Sequence, residues 1–369
     1  MSNHMTITDI FRKYGPPYVR QFGKRMPRAH KKTMEAMISC RTSQYGTILA
    51  QCTECKKQHL LFCACGNRHC PACQHHKADV WLAKQIDRAL PCNYFLLTFT
   101  VPEALRPFIR SHQRDGYDAL FTASAHAITT LARDPRFAGG GQPGFTGVLH
   151  TWGRQVQFHP HVHYVVPGGT VLDKGKRWEA SPPGFFLPVR ALSKIFKAQF
   201  RDLMRRARLF DLIPATAWQE DWVVHSQPAG NGSRTLEYLS RYVFKVAISN
   251  TRIVALKHDM VTFRWQKKDS RRWRCTTISA MEFIRRYLQH VLPTGFVKVR
   301  HYGFANHNAA VDHKDLYLLV LLAQAFEGPP APQLEPSSPV PYCPHCGGKL
   351  KYIAFCRPAR PERILMQSG

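Results

Sequence analysis

Acidic residues are scarce in this sequence of 369 residues. Asp and Glu number 24 against 52 Lys and Arg, which gives a formal net charge of +28. A chain with so strong a positive charge attracts polyanions, so nucleic acid is the first partner to consider and an anionic membrane surface the second. The basic residues are spread along the whole chain and are not gathered in a tail. This distribution favours an extended surface that follows a phosphate backbone.

Long apolar runs are also absent. No run approaches the roughly 18 apolar residues of a transmembrane helix, and the longest, residues 316–323, fits a buried helix. The first fifteen residues lack the apolar core of a signal peptide. We therefore expect an intracellular protein that does not span a membrane. An apolar content of 44% excludes a disordered chain, and the length suffices for two or three domains.

Cysteine, in contrast, is plentiful, with twelve residues. In a reducing compartment so many thiols indicate metal binding and not disulfides. Two Cys-x2-Cys pairs, Cys52/Cys55 and Cys70/Cys73, are separated by fourteen residues. Because two such turns can direct four thiolates at one ion, this spacing predicts a structural zinc site made of these four cysteines. The segment is too short to build much core, so the metal would hold it folded.

Other cysteines leave the ligand set open. Additional candidates for a second site, or for exchange with the first, are Cys40, Cys63, Cys65 and His69. A third pair, Cys343/Cys346, follows a proline-rich linker at residues 327–342 and has no downstream partner pair. Either it forms a small metal knuckle completed by Cys356 or by another segment, or it binds no metal.

A histidine-rich segment dominates the middle of the chain. His161 and His163 flank Val162 in a predicted strand, so both imidazoles point to the same face. Two imidazoles side by side on a rigid strand form half of a metal site, although a strand can also carry histidines without binding metal. Candidates for the third ligand are His159, which has the same parity, and His150 on the preceding strand; Glu237 is a further alternative.

The remaining periodicity predicts an alternation of helices and strands. Strands are expected at about 94–101, 145–152, 155–166 and 222–225 and in a hairpin over 253–278, with helices at about 1–39, 78–90, 117–131, 188–209, 234–245 and 280–291. The continuous apolar character of 94–101 predicts an interior strand, and the tight turn after Trp152 predicts that 145–152 and 155–166 pair antiparallel.

Two predicted helices carry side chains suited to DNA chemistry. Tyr238 and Tyr242 are four residues apart and so share a helix face, although two core tyrosines would show the same spacing. The helix over 188–209 is amphipathic, and its basic face could line a DNA groove or simply be solvated. The candidate DNA-binding residues are Arg68 in the cysteine-rich segment and Lys197, Arg201 and Arg205 on this helix.

Together these motifs resemble the HUH-type rolling-circle transposases of bacterial insertion sequences, of the IS91 kind. The resemblance covers nearly the whole chain. It rests on the cysteine-rich segment 65–73, the two histidine-bearing strands at 147–152 and 159–169, the tyrosine segment 238–242 and the segments 292–296 and 300–303.

The resemblance implies an α+β fold. A central antiparallel sheet with flanking helices, HUH endonuclease-like, would be preceded by a small cysteine-rich zinc-binding module. The expected divisions are a helix and zinc module at 1–90, a catalytic domain at 91–305, a terminal helical segment at 306–326, the linker at 327–342 and a cysteine knuckle and tail at 343–369.

The resemblance also implies an enzyme that cleaves and rejoins single-stranded DNA at the ends of an insertion sequence. Its cofactors would be structural Zn²⁺ and a catalytic Mg²⁺ or Mn²⁺ held by His161 and His163. Tyr242, with Tyr238, would attack the DNA and form a 5′-phosphotyrosine intermediate, and Tyr242 is expected to be the less dispensable. The partners would be element ends and target DNA in the bacterial cytoplasm, at the nucleoid. No oligomeric state is indicated.

Three alternatives are open at this stage. A plasmid replication initiator or relaxase would share the chemistry and differ in its biological role. A non-catalytic zinc-ribbon protein that binds nucleic acid is a second alternative, against which the intact histidines and tyrosines speak. A zinc hydrolase that uses His161 and His163 is the weakest, because no carboxylate lies at the spacing typical of zincins.

Overall fold

The structure is a computed structural model that describes residues 5–73, 75–243, 247–267, 270, 272–323 and 341–358. Inside the helices, the side chains of His75, His76, Tyr238, Arg241 and Tyr242 lie outside the described residues. In this part of the chain no helix has both the length and the apolar content needed to cross a membrane.

Helices and strands alternate along the described chain. The helices are α1 (Ile7–Phe22), α2 (Arg28–Ile38), α3 (His75–Asp87), α4 (Arg106–Ser111), α5 (Gln113–Ala132), α6 (Pro135–Ala138), α7 (Val189–Arg206), α8 (Thr216–Gln219), α9 (Ser233–Val243), α10 (Ala280–Leu288) and α11 (His313–Ala323). The strands are β1 (Thr47–Cys52), β2 (Gln58–Phe62), β3 (Tyr94–Thr100), β4 (Gly144–Trp152), β5 (Phe158–Pro167), β6 (Gly169–Leu172), β7 (Arg177–Ala180), β8 (Val223–Pro228), β9 (Ile253–Lys257), β10 (Met260–Gln266), β11 (Trp273–Ser279), β12 (Val299–Gly303) and β13 (Leu350–Cys356).

A five-stranded antiparallel sheet forms the centre of the molecule, with strand order β12-β4-β5-β3-β8. The α+β class and the antiparallel pairing of β4 with β5 are therefore confirmed, and β3 is an interior strand as its apolar sequence predicts. Every residue of β4 is buried. Such continuous burial requires cover on both faces of the sheet.

The two faces of the sheet carry different side chains and different helices. One face presents Phe99, Val162 and Tyr164 to a core shared with α5 and α7. The other face presents Val148 and Val165 to a second core shared with α3, α9 and α11. Because side chains alternate along a strand, every second residue of a strand points to the same face of the sheet. The predicted histidines of β4 and β5 belong to the second face, the one covered by α9.

A glycine in β4 makes room for a large side chain of β5 on the sheet face that α5 and α7 cover. A Cβ on Gly147 would lie 2.4 Å from a ring carbon of Tyr164, the residue paired with it across β4 and β5. The tyrosine ring therefore lies against bare backbone, and its hydroxyl makes a hydrogen bond of 2.6 Å with Ser124 on α5. This contact ties the middle of β5 to α5.

The two ends of the chain are not separate appendages. α1 and α2 share a hydrophobic core with β10 and α10, in which Phe11 packs edge-on against Tyr287 at 5.2 Å. β13 pairs antiparallel with β1, which also pairs with β2. The predicted boundary at residue 90 therefore crosses a continuous core, and the expected C-terminal knuckle is joined to the N-terminal module through a shared sheet.

The prediction of a buried helix over 316–323 is only partly right. α11 is present, but only Leu316 and Val320 of its residues are buried, and the side chain of Leu322 is 86% exposed. An all-apolar run shows no alternation of apolar and polar residues, so the sequence does not indicate which face of the helix is buried. The prediction therefore made more of this helix buried than the structure shows.

Candidate metal centre on the central sheet

Three imidazoles meet on the face of the sheet covered by α9. His150 on β4 is paired with His161 on β5, and His163 follows two residues later on the same strand. The ring centroids are 5.3 Å apart for His150 and His161, 4.5 Å for His150 and His163, and 4.8 Å for His161 and His163. One ring nitrogen of each lies within 4.8 Å of the other two. Two adjacent strands thus supply three nitrogen donors to one point.

Hydrogen bonds orient two of these rings. The Nδ1–H group of His161 donates to the carbonyl oxygen of His159 at 2.7 Å. The proton is therefore on Nδ1, and the lone pair of Nε2 is available to a metal. Nδ1 of His163 is 2.8 Å from the hydroxyl oxygen of Thr98 on β3. Metal-binding histidines ordinarily have the second ring nitrogen bonded in this way, because that bond fixes the tautomer and the ring orientation. Thr98 is a member of the site that pattern reasoning missed, and only strand register could have revealed it.

Burial keeps the cluster uncharged. The pKa of His163 is lowered to about 4, first by desolvation and then by His159. Desolvation also lowers the pKa of His150 and of His161 well below the ordinary value, with the neighbouring imidazoles adding to the effect. At neutral pH all three rings are therefore neutral and able to coordinate a cation. Three neutral nitrogen donors fit a divalent metal ion.

The geometry distinguishes between the candidates for the third ligand. His150 belongs to the cluster, whereas His159 is not a member among the described residues, and its contribution is the carbonyl oxygen that orients His161. Glu237 on α9 is exposed and is likewise not part of the described cluster. Pairing of β4 with β5 is what brings His150 to this point, 11 residues before His161 in sequence.

α9 lies over the same face of the sheet as the histidines. Its residues Leu236, Leu239 and Val243 are buried in the core that contains Val148 and Val165. These two valines share their face with His150 and His163, which lie two residues further along β4 and two residues earlier on β5, respectively. The predicted tyrosines are residues of α9, but their side chains lie outside the described residues.

A cavity of about 460 Å³ is connected to the histidine cluster through Trp152. Trp152 lines this cavity, and its indole stacks on His150 with centroids 5.3 Å apart. Nζ of Lys298 lies 4.9 Å from the centroid of the same indole, and burial lowers the pKa of this lysine to about 7. Arg68 and Lys77 also line the cavity, and its described lining contains no carboxylate. The basic lining of this cavity therefore suits an anion.

The predicted zinc cysteines are distributed over two clusters. The first contains Cys70 and Cys73 together with Cys40 and Cys65, and the Sγ atom of Cys73 is 3.3 Å from Cys40 and 3.5 Å from Cys65. In a tetrahedral site with Zn–S bonds of about 2.3 Å, the sulfurs would be about 3.8 Å apart. Hydrogen bonds from the neighbouring thiols lower the pKa of Cys73. These four soft donors fit Zn²⁺.

The second cluster contains Cys52 and Cys55 together with Cys343 and Cys346. The structure thus places the two N-terminal pairs in different clusters, whereas the sequence analysis predicted that they share one site. Cys52 ends β1, and Cys55 lies in the turn to β2, so both sulfurs stay at the end of a hairpin where β13 also begins. Spacing along the chain correctly identified each pair, but not which pairs meet.

The other candidate zinc ligands have different roles. Nε2 of His69 accepts a hydrogen bond from the backbone N–H of Leu292 at 3.1 Å, and its carbonyl oxygen accepts one from the hydroxyl of Tyr287. His69 therefore connects the cysteine-rich segment to the end of α10 and is not available to a metal through Nε2. Cys63 and Cys356 do not belong to either cluster in the described chain.

Comparison with known proteins agrees with this arrangement. A family described as “Transposase zinc-binding domain” matches residues 10–101, and a family described as “Putative transposase” matches residues 144–312. A protein of Sinorhizobium fredii named “Putative transposase y4qJ” is 38% identical over 320 residues, which cover 81% of this chain and 79% of that protein. The chain belongs to the IS91 family of transposases.

A more distant relative is the transposase for insertion sequence element IS801 of Pseudomonas savastanoi pv. phaseolicola. It is 28% identical over 291 residues, which cover 74% of this chain and 69% of that protein. No solved structure matches the transposase significantly. The three histidines lie inside the “Putative transposase” match, whereas Cys343 and Cys346 lie beyond both family matches.

The predicted DNA-binding residues of this transposase lie in two separate places. Arg68 lines the cavity, and its guanidinium donates to the carbonyl oxygens of Phe296 and Pro293 at 2.6 and 2.8 Å. The basic residues of α7 lie on the other side of the sheet, because α7 packs on the face opposite the histidines. These are Lys197, which donates to the carbonyl oxygen of Glu220, and Arg201 and Arg205, both 3.8 Å from Asp202.

Proposed function

We propose that this transposase cleaves and rejoins single-stranded DNA at the ends of its insertion sequence by a metal-assisted attack from a tyrosine of α9. The observation that supports this proposal is the meeting of His150, His161 and His163 on the sheet face against which α9 packs. A metal-ligand cluster and a tyrosine-bearing helix in one layer are the two parts that the reaction requires. We assign the nucleophile to Tyr242 or Tyr238.

The reaction is a transfer of a phosphoryl group between two oxygens. The phenolic oxygen of the tyrosine attacks the scissile phosphorus, a P–O bond to the tyrosine forms, and the bond to the 3′ oxygen breaks. The phenol gives up one proton and the departing 3′ oxygen gains one, so the products are a 5′-phosphotyrosine and a free 3′-OH. Attack by a 3′-OH on that link reverses the step and joins the strands. Residues 238 and 242 are one helical turn apart, which would allow two successive transfers.

The chain's own groups prepare this site. A divalent cation, Mg²⁺ or Mn²⁺, would offset negative charge that develops on the phosphate oxygens. The backbone carbonyl of His159 and the hydroxyl of Thr98 hold two imidazoles in place for it. Arg68 and Lys77 give the adjoining cavity positive charge, and Lys298, whose pKa is lowered to about 7, adds a partial positive charge at neutral pH. The aromatic rings beside them suit the bases of a single strand, which stack on such surfaces.

A covalent-complex assay tests the proposal. Single-stranded oligonucleotides that carry the element's terminal sequences, labelled at the 5′ or the 3′ end, are incubated with protein and Mn²⁺ and separated on a denaturing gel. We expect a protein–DNA band only with the label 3′ of the cleaved bond. The band should disappear in His150→Ala, in His161→Ala and in the double variant Tyr238→Phe/Tyr242→Phe, and Tyr242→Phe alone should reduce it more than Tyr238→Phe.

Matched controls separate chemistry from folding. Tyr317→Phe alters an exposed tyrosine on α11, and His126→Ala alters an exposed histidine on α5, on the opposite face of the sheet. Both should keep the band. Persistence of the band in the double tyrosine variant would overturn the assignment of the nucleophile. Absence of any band from the unaltered protein would favour a non-catalytic DNA-binding role.

A further inference from the structure

The C-terminal cysteine pair lies far outside the match to the zinc-binding family, yet it folds onto that module. β13 runs antiparallel to β1, with Thr47 opposite Cys356 and Cys52 opposite Leu350. At the end of this ladder the N–H of Thr53 donates to the carbonyl oxygen of Lys349 at 2.9 Å. The two Cys-x2-Cys turns are therefore carried by neighbouring strands and open toward each other.

The four sulfurs have the arrangement of a closed thiolate site. Sγ of Cys52 is 3.4 Å from Sγ of Cys346, and Sγ of Cys55 is 3.7 Å from Sγ of Cys343. All four lie within 4.8 Å of one another. These separations are close to the value of about 3.8 Å for a tetrahedron of sulfurs around zinc. Nε2 of His59 lies 3.2 Å from Sγ of Cys343, where its N–H group can stabilise a thiolate.

The turns that present these sulfurs are also those of a metal knuckle. The N–H of Cys343 donates to the carbonyl oxygen of Gly348 at 2.7 Å, and the N–H of Gly347 donates back to Cys343 at 2.9 Å. Gly347 has a φ of +77°, which favours glycine. On the facing turn, the N–H of Cys52 donates to the carbonyl oxygen of Lys57 at 2.9 Å.

Hydrophobic burial alone is too small to hold β13 in place. Among the described residues, the local core has four buried members: Ala50, Leu350 and two cysteines of the cluster itself. Tyr352 and Phe355 of β13 are 61% and 48% exposed. A strand with so little apolar contact needs another source of stability, and small modules of this kind ordinarily obtain it from a bound metal.

We propose that Cys52, Cys55, Cys343 and Cys346 bind a second Zn²⁺, which clasps the C-terminal strand to the N-terminal module. The ligands Cys55 and Cys343 are 288 positions apart, so this one ion joins the two ends of the chain. Four thiolates leave no open coordination position, and the site is structural. The clasp does not depend on the tyrosine chemistry proposed above.

Zinc stoichiometry of the full-length protein tests the ligand set. The unaltered transposase should contain two zinc ions per chain, one for each four-cysteine cluster. Cys343→Ala/Cys346→Ala, Cys52→Ala/Cys55→Ala and the quadruple variant should each contain one, because all three destroy the same site. The control Cys275→Ala/Cys356→Ala alters cysteines outside both clusters and should contain two.

Two results would overturn the ligand set. Two zinc ions in Cys343→Ala/Cys346→Ala would show that the C-terminal pair is not a ligand. A loss in the quadruple variant greater than in either pair variant would show that the pairs serve different ions. If Cys52→Ala/Cys55→Ala does not fold, the C-terminal variant alone still decides, because it leaves the N-terminal module unaltered.

A cleavage experiment tests the clasp itself. A recognition site for a specific protease is inserted within residues 327–342, and the full-length protein is cut there and passed over a gel-filtration column. The C-terminal fragment should elute with the body of the protein when zinc is bound and separately after chelation. In Cys52→Ala/Cys55→Ala it should separate without a chelator. Retention of the fragment after zinc is removed would overturn the role of the metal as the clasp.

Discussion

The imidazole of His161 reaches the candidate metal centre in one orientation because its Nδ1–H group is already bonded to the carbonyl oxygen of His159. Thr98 holds His163 in the same manner from the neighbouring strand. At the scale of single residues, the site therefore depends as much on the groups behind the rings as on the rings themselves. The ring of His150 stacks on Trp152.

The first prediction concerns Thr98. Thr98→Val keeps the shape of the side chain and removes the hydroxyl beside Nδ1 of His163. Loss of such a partner ordinarily lowers metal affinity by about 10- to 100-fold. Calorimetric titration of zinc-loaded protein with Mn²⁺ should show a decrease in this range. Thr262→Val, which removes a hydroxyl from the distant β10, should leave the affinity unchanged; an equal effect of both variants would contradict the prediction.

The second prediction concerns His290, which is buried between β4 and the turn before β5. Its Nε2–H group donates to the carbonyl oxygen of Val156, and its Nδ1 lies 3.2 Å from the hydroxyl of Thr151. Desolvation lowers the pKa of His290 to about 4. The unfolded chain therefore takes up this proton at a higher pH than the folded protein, and stability that is present above about pH 6.5 is lost as the pH falls toward 4.

Urea unfolding at about pH 7.5 and about pH 5.5 tests this linkage. His290 should account for about 1 kcal/mol of the stability lost between these values. The His290→Gln variant should be less stable than the unaltered protein at both pH values. The stability that it loses between about pH 7.5 and about pH 5.5 should be smaller by about 1 kcal/mol. His126→Gln, at an exposed position on α5, should retain the full loss. Equal losses in the unaltered protein and in His290→Gln would contradict the prediction.

At the scale of elements, the central sheet separates two sets of helices. α9 and α3 cover the face that holds the histidines, while α5 and α7 cover the face that holds Tyr164 and Val162. The basic side chains of α7 are therefore remote from the metal centre, although sequence analysis predicts that they contact DNA. Any DNA that reaches α7 must pass around an edge of the sheet.

The third prediction concerns the charges of α7. Arg201→Ala/Arg205→Ala removes two side chains whose ion pairs, at 3.8 Å from Asp202, are long and solvent-exposed, so stability should change little. If α7 binds the single strand, the slope of log affinity against log salt should decrease by about 1.4, which is about 0.7 for each phosphate contact. Single-turnover cleavage of bound DNA should be unchanged, because α7 does not border the histidines.

Fluorescence anisotropy with a labelled single strand, between about 50 and 200 mM salt, measures that slope. Lys174→Ala/Lys176→Ala removes the same net charge from the exposed turn between β6 and β7 and serves as the control. We expect its slope to equal that of the unaltered protein. Equal slopes in all three proteins would exclude contact between DNA and Arg201 or Arg205.

At the scale of the whole molecule, segments from both ends of the chain pack against or pair with distant elements. α1 and α2 pack with β10 and α10, and β13 completes the sheet begun by β1. The N-terminal module is thus attached to the rest of the transposase through a shared core as well as through the chain. His69 and Arg68 add hydrogen bonds from the cysteine-rich segment to residues 292–296, beside the cavity.

Local patterns predicted the strands and helices well, and the reason is visible in particular elements. The apolar segment at 94–101 is an interior strand, and the alternation around Val162 places it in the core opposite the two histidines. Such periodicities depend on the chain only over a few residues. The apolar run of α11 has no alternation, and there the sequence could not show which residues are exposed.

What the sequence determined by itself is the chemistry available at each point: two imidazoles on one face of a strand, two tyrosines one turn apart, and cysteine pairs that each form a knuckle. Those relations span two to four residues, so backbone geometry alone specifies them. Only the tertiary structure shows that His150 lies beside His161 and His163, and that Cys52 and Cys55 lie beside Cys343 and Cys346. These choices follow from which strands lie side by side, and no local spacing carries that information.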